Sequence, residues 1–311
     1  MRVAVLGRTH WLLDSAEQLA GLGHAIALVA TAPAAPEYRV REEDFTALAS
    51  RHNAPFHNGP DVNDAKFIDA LAASGAQVAI SVNWPTLIRK SACTTPRFGI
   101  LNAHAGDLPR YRGNACPNWA ILNDERHIGL CVHAMDPDAL DAGPIYARER
   151  FELAPDTYIG DVYAWMDAAV PGLFARAIEN LTRSGFAPEE QSADGMRPLR
   201  SYPRRPEDGL IDWHSDAASI LRLVRASSHP FAGAFTYLEG QERAVIWRAR
   251  LAEMDHEIAA VPGQILGRSA NGRPLVACQS GVIEIEESET ASGRPLPRAN
   301  RYRLTARRRT E

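Results

Sequence analysis

Two hydrophobic periods divide the chain. Up to about residue 200 the apolar residues gather in short solid runs: RVAVLG (2–7), AIALVAT (25–31), AQVAISVNW (76–84) and GILNAHA (99–105). Runs of this length, bounded by turn residues, read as strands buried on both faces. Between them lie stretches of helical composition at 14–23, 42–52 and 63–74, the first ending on Gly23. Strands that alternate with helices predict an α/β fold, a parallel sheet with right-handed crossovers and helices on both faces. LCVHAM (130–135) and PIYARERFEL (144–153) add two further strands. A long helix follows over 161–181, with Val162, Trp165, Ala169, Leu173 and Ala177 on one stripe and a kink expected at Pro171.

SYPRRPEDG (201–209) breaks this pattern and marks a domain boundary. After a helix at 216–226 the period drops to two. GAFTYL, RAVIWRARL, GQILGR, PLVACQ and VIEIEE read as five short strands separated by glycine-containing turns. Five such strands predict a small OB-like β-barrel. From 291 onward Arg, Pro and Ser dominate, which predicts a loose tail. The expected organisation is a catalytic domain over 1–200, an OB-like domain over 201–290 and a flexible tail over 291–311.

Composition narrows the classes. With 311 residues, 45% apolar and 23% charged, the chain is globular in type. Its net charge of −4 gives no general attraction to nucleic acid. No apolar run approaches the roughly 18 residues that a membrane span needs. A strand starting at Arg2 leaves no room for a signal peptide. The four cysteines, at 93, 116, 131 and 278, form no CxxC pair, which suits reduced thiols in the cytoplasm. Gly7 stands outside any GxGxxG, so no dinucleotide is expected, and His127 and His133 lack metal-ligand spacing, so no metal is expected.

The candidate chemistry lies in GILNAHAGDLPRYRG (99–113) and DALDAGPI (138–145). Asn102 and His104, two apart on a strand, share a face at its carboxyl end, where α/β sheets bind ligands. Asp141 precedes a Gly-Pro turn and, alone, reads as a turn residue. Together, an amide, an imidazole and a carboxylate supply what acyl transfer to an amine requires. A preorganised donor stabilises the developing oxyanion, and an acid/base pair moves protons to and from nitrogen. Cys116 and Cys131 have no base beside them in sequence, so direct transfer is favoured over a covalent intermediate.

LNAHAGDLPRYRG and LDAGPI, in this order, resemble the N10-formyltetrahydrofolate-dependent formyltransferases, with their Asn-x-His strand end, LPxxRG loop and Asp-x-Gly turn. RRPEDGLIDWHSDAASILRLVRASSHPFAGAFTYL (204–238) is similar to the linker and second domain of the two-domain members, closest to those that formylate a UDP-linked aminoarabinose and akin to methionyl-tRNA formyltransferases. The resemblance implies a Rossmann-like formyltransferase domain, an OB-like C-terminal domain and N10-formyltetrahydrofolate as formyl donor. It implies catalytic roles for Asn102, His104 and Asp141. Folate contacts are implied for Asn83, Trp84, Pro85, Leu87 and Ile88, and for Asp136, Ala139 and Leu140. On the acceptor side, His10, Tyr111, Arg112 and Asn114 are the expected contacts. Two departures stand out: many members carry Ser-Leu-Leu-Pro where this chain has Gly106 to Pro109, and Asn114 and Cys116 are unusual for the sugar-type pattern. Both bear on the acceptor rather than on the formyl chemistry.

Charge ranks the acceptors. Residues 201–296 hold ten Arg and no Lys against thirteen Asp and Glu, a net of −3, whereas 297–311 hold six Arg and one Glu. An acidic second domain disfavours a tRNA partner. A nucleotide-linked amino sugar is therefore the expected small-molecule acceptor. Methionyl-tRNA, an amino-acid amine such as hydroxyornithine, and a catalytically silent folate- or sugar-binding module rank below it, and water could replace the amine in a hydrolase. The expected location is cytoplasmic, without a membrane partner, and homo-oligomer formation stays open.

Overall fold

The computed structural model describes residues 1–36, 38–191, 198–297 and 302–306. In chain order the strands are β1 (Arg2–Gly7), β2 (Ala25–Thr31), β3 (Phe56–Asn58), β4 (Val78–Val82), β5 (Ile100–His104), β6 (Arg112–Gly113), β7 (His127–Ala134), β8 (Ile145–Glu152), β9 (Arg200–Ser201), β10 (Ala234–Leu238), β11 (Glu242–Ala252), β12 (Ile265–Arg268), β13 (Pro274–Ala277), β14 (Val282–Thr290) and β15 (Leu304–Thr305). The α-helices are α1 (His10–Gly21), α2 (Glu42–Arg51), α3 (Ala65–Ala73), α4 (Lys90–Thr94), α5 (Cys116–Leu122), α6 (Ile159–Thr182) and α7 (Ala217–Ser227).

The first sheet runs β3-β2-β1-β4-β5-β7-β8. β1 pairs in parallel with both β2 and β4, and β4 with β5, as the alternating pattern predicts. Buried runs account for it: Val3 to Leu6 and Val78 to Ile80 are wholly buried, leaving no solvent face to fill with polar residues. Strand order reverses between β1 and β4, which opens a crevice at their carboxyl ends. β7 breaks the parallel expectation. It runs antiparallel to β5, with Asn102 opposite His133 and His104 opposite Cys131. Pro171 sits inside α6, which continues past it to Thr182.

By compactness the chain forms two units. One comprises Met1–Cys116, His127–Phe151 and Tyr163–Tyr202; the other Pro117–Arg126, Glu152–Val162 and Pro203–Glu311. The last change of unit falls between Tyr202 and Pro203, and two earlier segments group with the second unit. Hydrogen bonds explain this: Asn118 donates to the Ala226 carbonyl, Arg225 to those of Ala154 and Thr157, and the Tyr158 hydroxyl to that of Ala249.

The second unit contains a curled antiparallel sheet in the order β12-β13-β14-β11-β10-β15. Its ends meet where Ile265 N–H donates to Tyr302 O (3.0 Å) and Leu304 N–H to Gly263 O (2.8 Å). Trp213, Ile220, Ile246 and Ile283 fill its core. The tail expected to be loose from 291 is in part docked. Leu296 and Leu304 are buried, and β15 pairs with β10. Their two leucines were the overlooked signal, apolar side chains that join the core despite the Arg-rich sequence around them. Residues 298–301 and 307–311, with most of the tail arginines, lie outside the described residues.

Candidate functional site

The first unit holds the whole candidate centre. β5 ends by presenting Asn102, half-buried, and His104, 8% exposed, over its carboxyl edge. The chain then turns back under the ring. Tyr111, at φ 59°, directs its carbonyl to His104 Nε2 at 2.6 Å. This contact makes Nε2 the protonated donor and leaves Nδ1 as the working nitrogen. Nδ1 faces Asp141 Oδ2 at 3.6 Å.

Asp141 is itself held in a left-handed conformation, φ 49°, which costs a non-glycine residue about 1–3 kcal/mol unless its surroundings enforce it. They do: Gly113 N–H donates to Oδ2 (2.8 Å), and the Gln191 amide donates to the carbonyls of Asp141 and Gly143. Gln191 is in turn held by Arg112 (2.8 Å). The turn residue of the sequence is thus also the carboxylate of the site.

His133 completes the centre. Its Nδ1 donates to Ala134 O (2.8 Å), so its Nε2 accepts from Asn102 Nδ2 (3.3 Å) and lies 3.6 Å from Asp141 Oδ1. One Asn102 N–H is therefore fixed, and the other is left for the cleft. Among the described residues no His/Cys/Asp/Glu group has the arrangement to hold a metal ion.

Electrostatics follow from the geometry. Burial penalises charge on the His104 ring, but the Asp141 carboxylate and the Cys116 sulfur outweigh it and push the pKa up to about 9. Burial works against the Asp141 carboxylate too, yet the charged His104 ring and the Gly113 N–H hold its pKa well below the usual carboxylate range. At neutral pH the pair is imidazolium and carboxylate.

Cys116 lies on the other edge of the imidazole. Its Sγ is 3.7 Å from His104 Nε2 and donates to Tyr111 O at 2.9 Å, and the residue is 2% exposed. A thiol behind the ring, away from Asn102 and Asp141, cannot meet an acyl group held between them. Cys116→Ala is expected to keep kcat within about threefold, whereas loss of a covalent nucleophile would remove several orders of magnitude. Steady-state turnover of the variant decides it.

The loop behind His104 is braced from β7 and β8. Asp107 pairs with Arg148 and His127, and Arg148 also donates to Leu108 O. β7 comes so close that a Cβ on Gly129 would stand 2.5 Å from Asp107 Cα. Gly129→Ala should cost about 1–3 kcal/mol of stability and displace the loop. A lowered melting temperature together with reduced kcat is the expected result.

The other expected contacts divide. Leu87 and Leu140 are exposed (66% and 43%), as are Asn83, Pro85, Asp136 and Ala139, and Trp84 is partly buried. Trp84 and Met135 pack on one core cluster, so the segments 83–88 and 135–141 share an anchor. Ile88 does not fit its expected contact role: at 5% exposure it belongs to that core, because the turn directs it inward. Tyr111 is also buried and serves through its carbonyl rather than its ring. Arg112 is committed to Gln191, Asn114 is exposed, and His10 hydrogen-bonds to Asp167 (2.7 Å). His133 and Gln191 went unrecognised as site residues. A histidine inside the apolar run LCVHAM was the available signal for the first; nothing in the sequence pointed to the second.

The family model described as "Formyl transferase" matches residues 1–178, and "Formyl transferase, C-terminal domain" matches 204–303. A methionyl-tRNA formyltransferase of Chloroflexus aurantiacus is 31% identical over 299 residues, covering 95% of this chain and 94% of that protein. In fold the chain is similar to the sugar 3-N-formyltransferase WlaRD, crystallised with dTDP and 5-N-formyl-THF (TM-score 0.64, 14% identity, 92% of this chain and 97% of that one). It is also similar to an N-formyltransferase from Helicobacter canadensis in complex with folinic acid and dTDP-3-aminofucose (TM-score 0.63, 15% identity, 92% and 99%).

Proposed function

The chain belongs to the formyl transferase family through both matched segments, and from that premise we propose that it transfers a formyl group from N10-formyltetrahydrofolate to a primary amine on a nucleotide-linked amino sugar. The enzyme is a folate-dependent N-formyltransferase; the acceptor is the finer part of the reading. Crystallised relatives carry folinic acid or 5-N-formyl-THF, which supports the donor. The residues present fit a flat heterocycle with an attached chain: exposed Leu87 and Leu140 offer apolar contact, and Asn83 and Asp136 offer polar contact. When bound, the donor supplies an activated formyl group and a nitrogen leaving group.

The observation that carries the reaction is the disposition of Asn102, His104 Nδ1 and Asp141 around one point. The free Asn102 N–H stabilises negative charge on the formyl oxygen as the amine attacks. Asp141, already ionised, accepts the proton that the amine must lose. His104 delivers its Nδ1 proton to the departing nitrogen. Asp141 then returns a proton to His104 across their 3.6 Å gap, and the pair is reset. Tyr111 O keeps Nε2 protonated throughout, so only Nδ1 cycles.

Residues 201–296, with a net of −3, offer no basic surface for a polyanion, which supports the sugar nucleotide. Formylation of methionyl-tRNA is the second reading, and the relatives at about 30% identity along nearly the whole chain favour it. Incubation with N10-formyltetrahydrofolate and a panel of UDP- and dTDP-linked amino sugars, hydroxyornithine and charged initiator tRNA separates them. Mass spectrometry is expected to find a formylated sugar nucleotide. Formylated tRNA alone would overturn the acceptor and keep the chemistry.

A further inference from the structure

One polar side chain in the core of the first sheet has no task in the mechanism above. Ser81 lies on β4 and is fully buried, yet its hydroxyl hydrogen-bonds to nothing among the described residues. Every other residue of the strand is apolar: Val78, Ala79, Ile80 and Val82. A buried hydroxyl without a partner costs stability, and an alanine there would avoid the cost. Such a group in a native core calls for an explanation.

Register supplies one. Ser81 pairs with Leu6 of β1 on one side and with Asn102 of β5 on the other. Ala79 and Ile100 pack in one core cluster, so Ser81 and Asn102, two residues further along the same strands, share that face. His133 stands opposite Asn102 on its far side. The row is thus Leu6, Ser81, Asn102 and His133, across β1, β4, β5 and β7. Ser81 and Asn102 are one strand spacing apart, about 4.8 Å. Leu6 offers the hydroxyl no polar atom, and Trp84 and Ile88 pack on the same apolar cluster. Asn102 is the one polar side chain beside Ser81 in the row.

The Asn102 carboxamide is only half satisfied. Its Nδ2 is drawn toward β7 by His133 Nε2 (3.3 Å), and its Oδ1 has no hydrogen-bond partner among the described residues. An unused donor and an unused acceptor therefore stand side by side. Catalytic hydrogen bonds are often long before the ligand is seated and tighten with it. Held from His133 alone, the carboxamide can pivot about one bond, which swings the N–H meant for the formyl oxygen. We propose that Ser81 is a positioning residue: its hydroxyl donates to Asn102 Oδ1 once the formyl group is seated, and with His133 it clamps the carboxamide from both flanks. Wholly buried, Ser81 touches neither substrate, and its hydrogen stays on Oγ throughout. The inference rests on the formyl-transfer reading above and is independent of which amine is the acceptor.

Ser81→Ala, Asn102→Ala and the double variant test it. S81A should melt no lower than the wild type, since it removes an unsatisfied buried group. Its kcat should nevertheless fall about tenfold, with the KM of N10-formyltetrahydrofolate held within about twofold. In the N102A background the same substitution should change kcat by less than about twofold, because the group it serves is gone. A residue kept only for packing would not yield a slower enzyme that is no less stable. Unchanged kcat in S81A overturns the proposal, as does an equal loss with and without Asn102, or a loss that accompanies a lowered melting temperature. A second measurement separates this inference from the reaction it rests on. Should the wild type formylate no amine of the panel, the formyl-transfer reading falls, and calorimetry with the stable 10-formyl-5,8-dideazafolate and its deformylated parent decides for Ser81. A preference for the formylated compound that shrinks about threefold or more in S81A upholds the clamp. An unchanged preference, or none in the wild type, overturns it.

Discussion

A His104→Asn enzyme is expected to fold and to lose about three orders of magnitude in kcat, with the donor KM changed by less than about threefold. The ring is placed to move a proton and carries little of the ligand's binding surface. Asn cannot hold the proton that the departing nitrogen needs. Wild-type turnover by this variant would remove His104 from the chemistry. The pH dependence makes a sharper test. Raised to about 9, the folded-state pKa of His104 lies above the unfolded value near 6.5. Its contribution to stability is therefore complete below about pH 6.5 and is lost as the pH rises through about 9. Asp141 has the opposite sign. Its contribution is present above its ordinary value near 4 and is lost as the pH falls below that. Between these limits the ion pair is intact, and kcat should decline on the alkaline side near pH 9. Thermal melting from pH 5 to 10 should show a fall on the same alkaline side that H104N lacks.

Gly106→Ser is expected to be nearly as damaging, by about 10²-fold or more in kcat, although a hydroxyl is common at this position among similar formyltransferases. In this chain a Cβ at 106 would lie 2.4 Å from Tyr111 O and 2.6 Å from His104 Nε2. Neither neighbour can yield cheaply. The Tyr111 carbonyl belongs to a backbone at positive φ, two residues before the Gly113 N–H that holds Asp141. Moving it disturbs both members of the proton-transfer pair, and the overpacking costs about 1–3 kcal/mol of stability. Full activity in G106S would mean that the contact between Tyr111 and His104 has no part in positioning the ring. Main chain and the His104 ring fill the place a side chain at 106 would take, so the same position also bears on how His104 is held.

What could be read in advance follows from the range of the signals. Solid apolar runs mark β1, β2, β4 and β5, and the alternation on β5 puts Asn102 and His104 together; both signals are local. The order Asn102, His104, Asp141 also survives in the sequence. The direction of β7 does not, because a strand reads alike in either sense, and with it went the register that sets His133 beside Asn102. Tyr111 acts through a carbonyl, which every residue has, so no side-chain pattern could reveal it. Gln191 reaches Asp141 across 50 residues of chain. Ile88 and Tyr111 point inward because of turns whose dihedral angles no hydrophobic pattern specifies.

The pairing of β15 with β10 has a consequence during synthesis. β10 is made long before Leu304 and Thr305; Leu210 bridges Phe235 early, but until β15 emerges the Tyr237–Leu238 end of the same side offers unsatisfied backbone groups to any passing strand. The growing chain thus carries a sticky ribbon through most of the translation of its second unit. Short, arginine-flanked and last to arrive, β15 acts as the cover that retires this hazard.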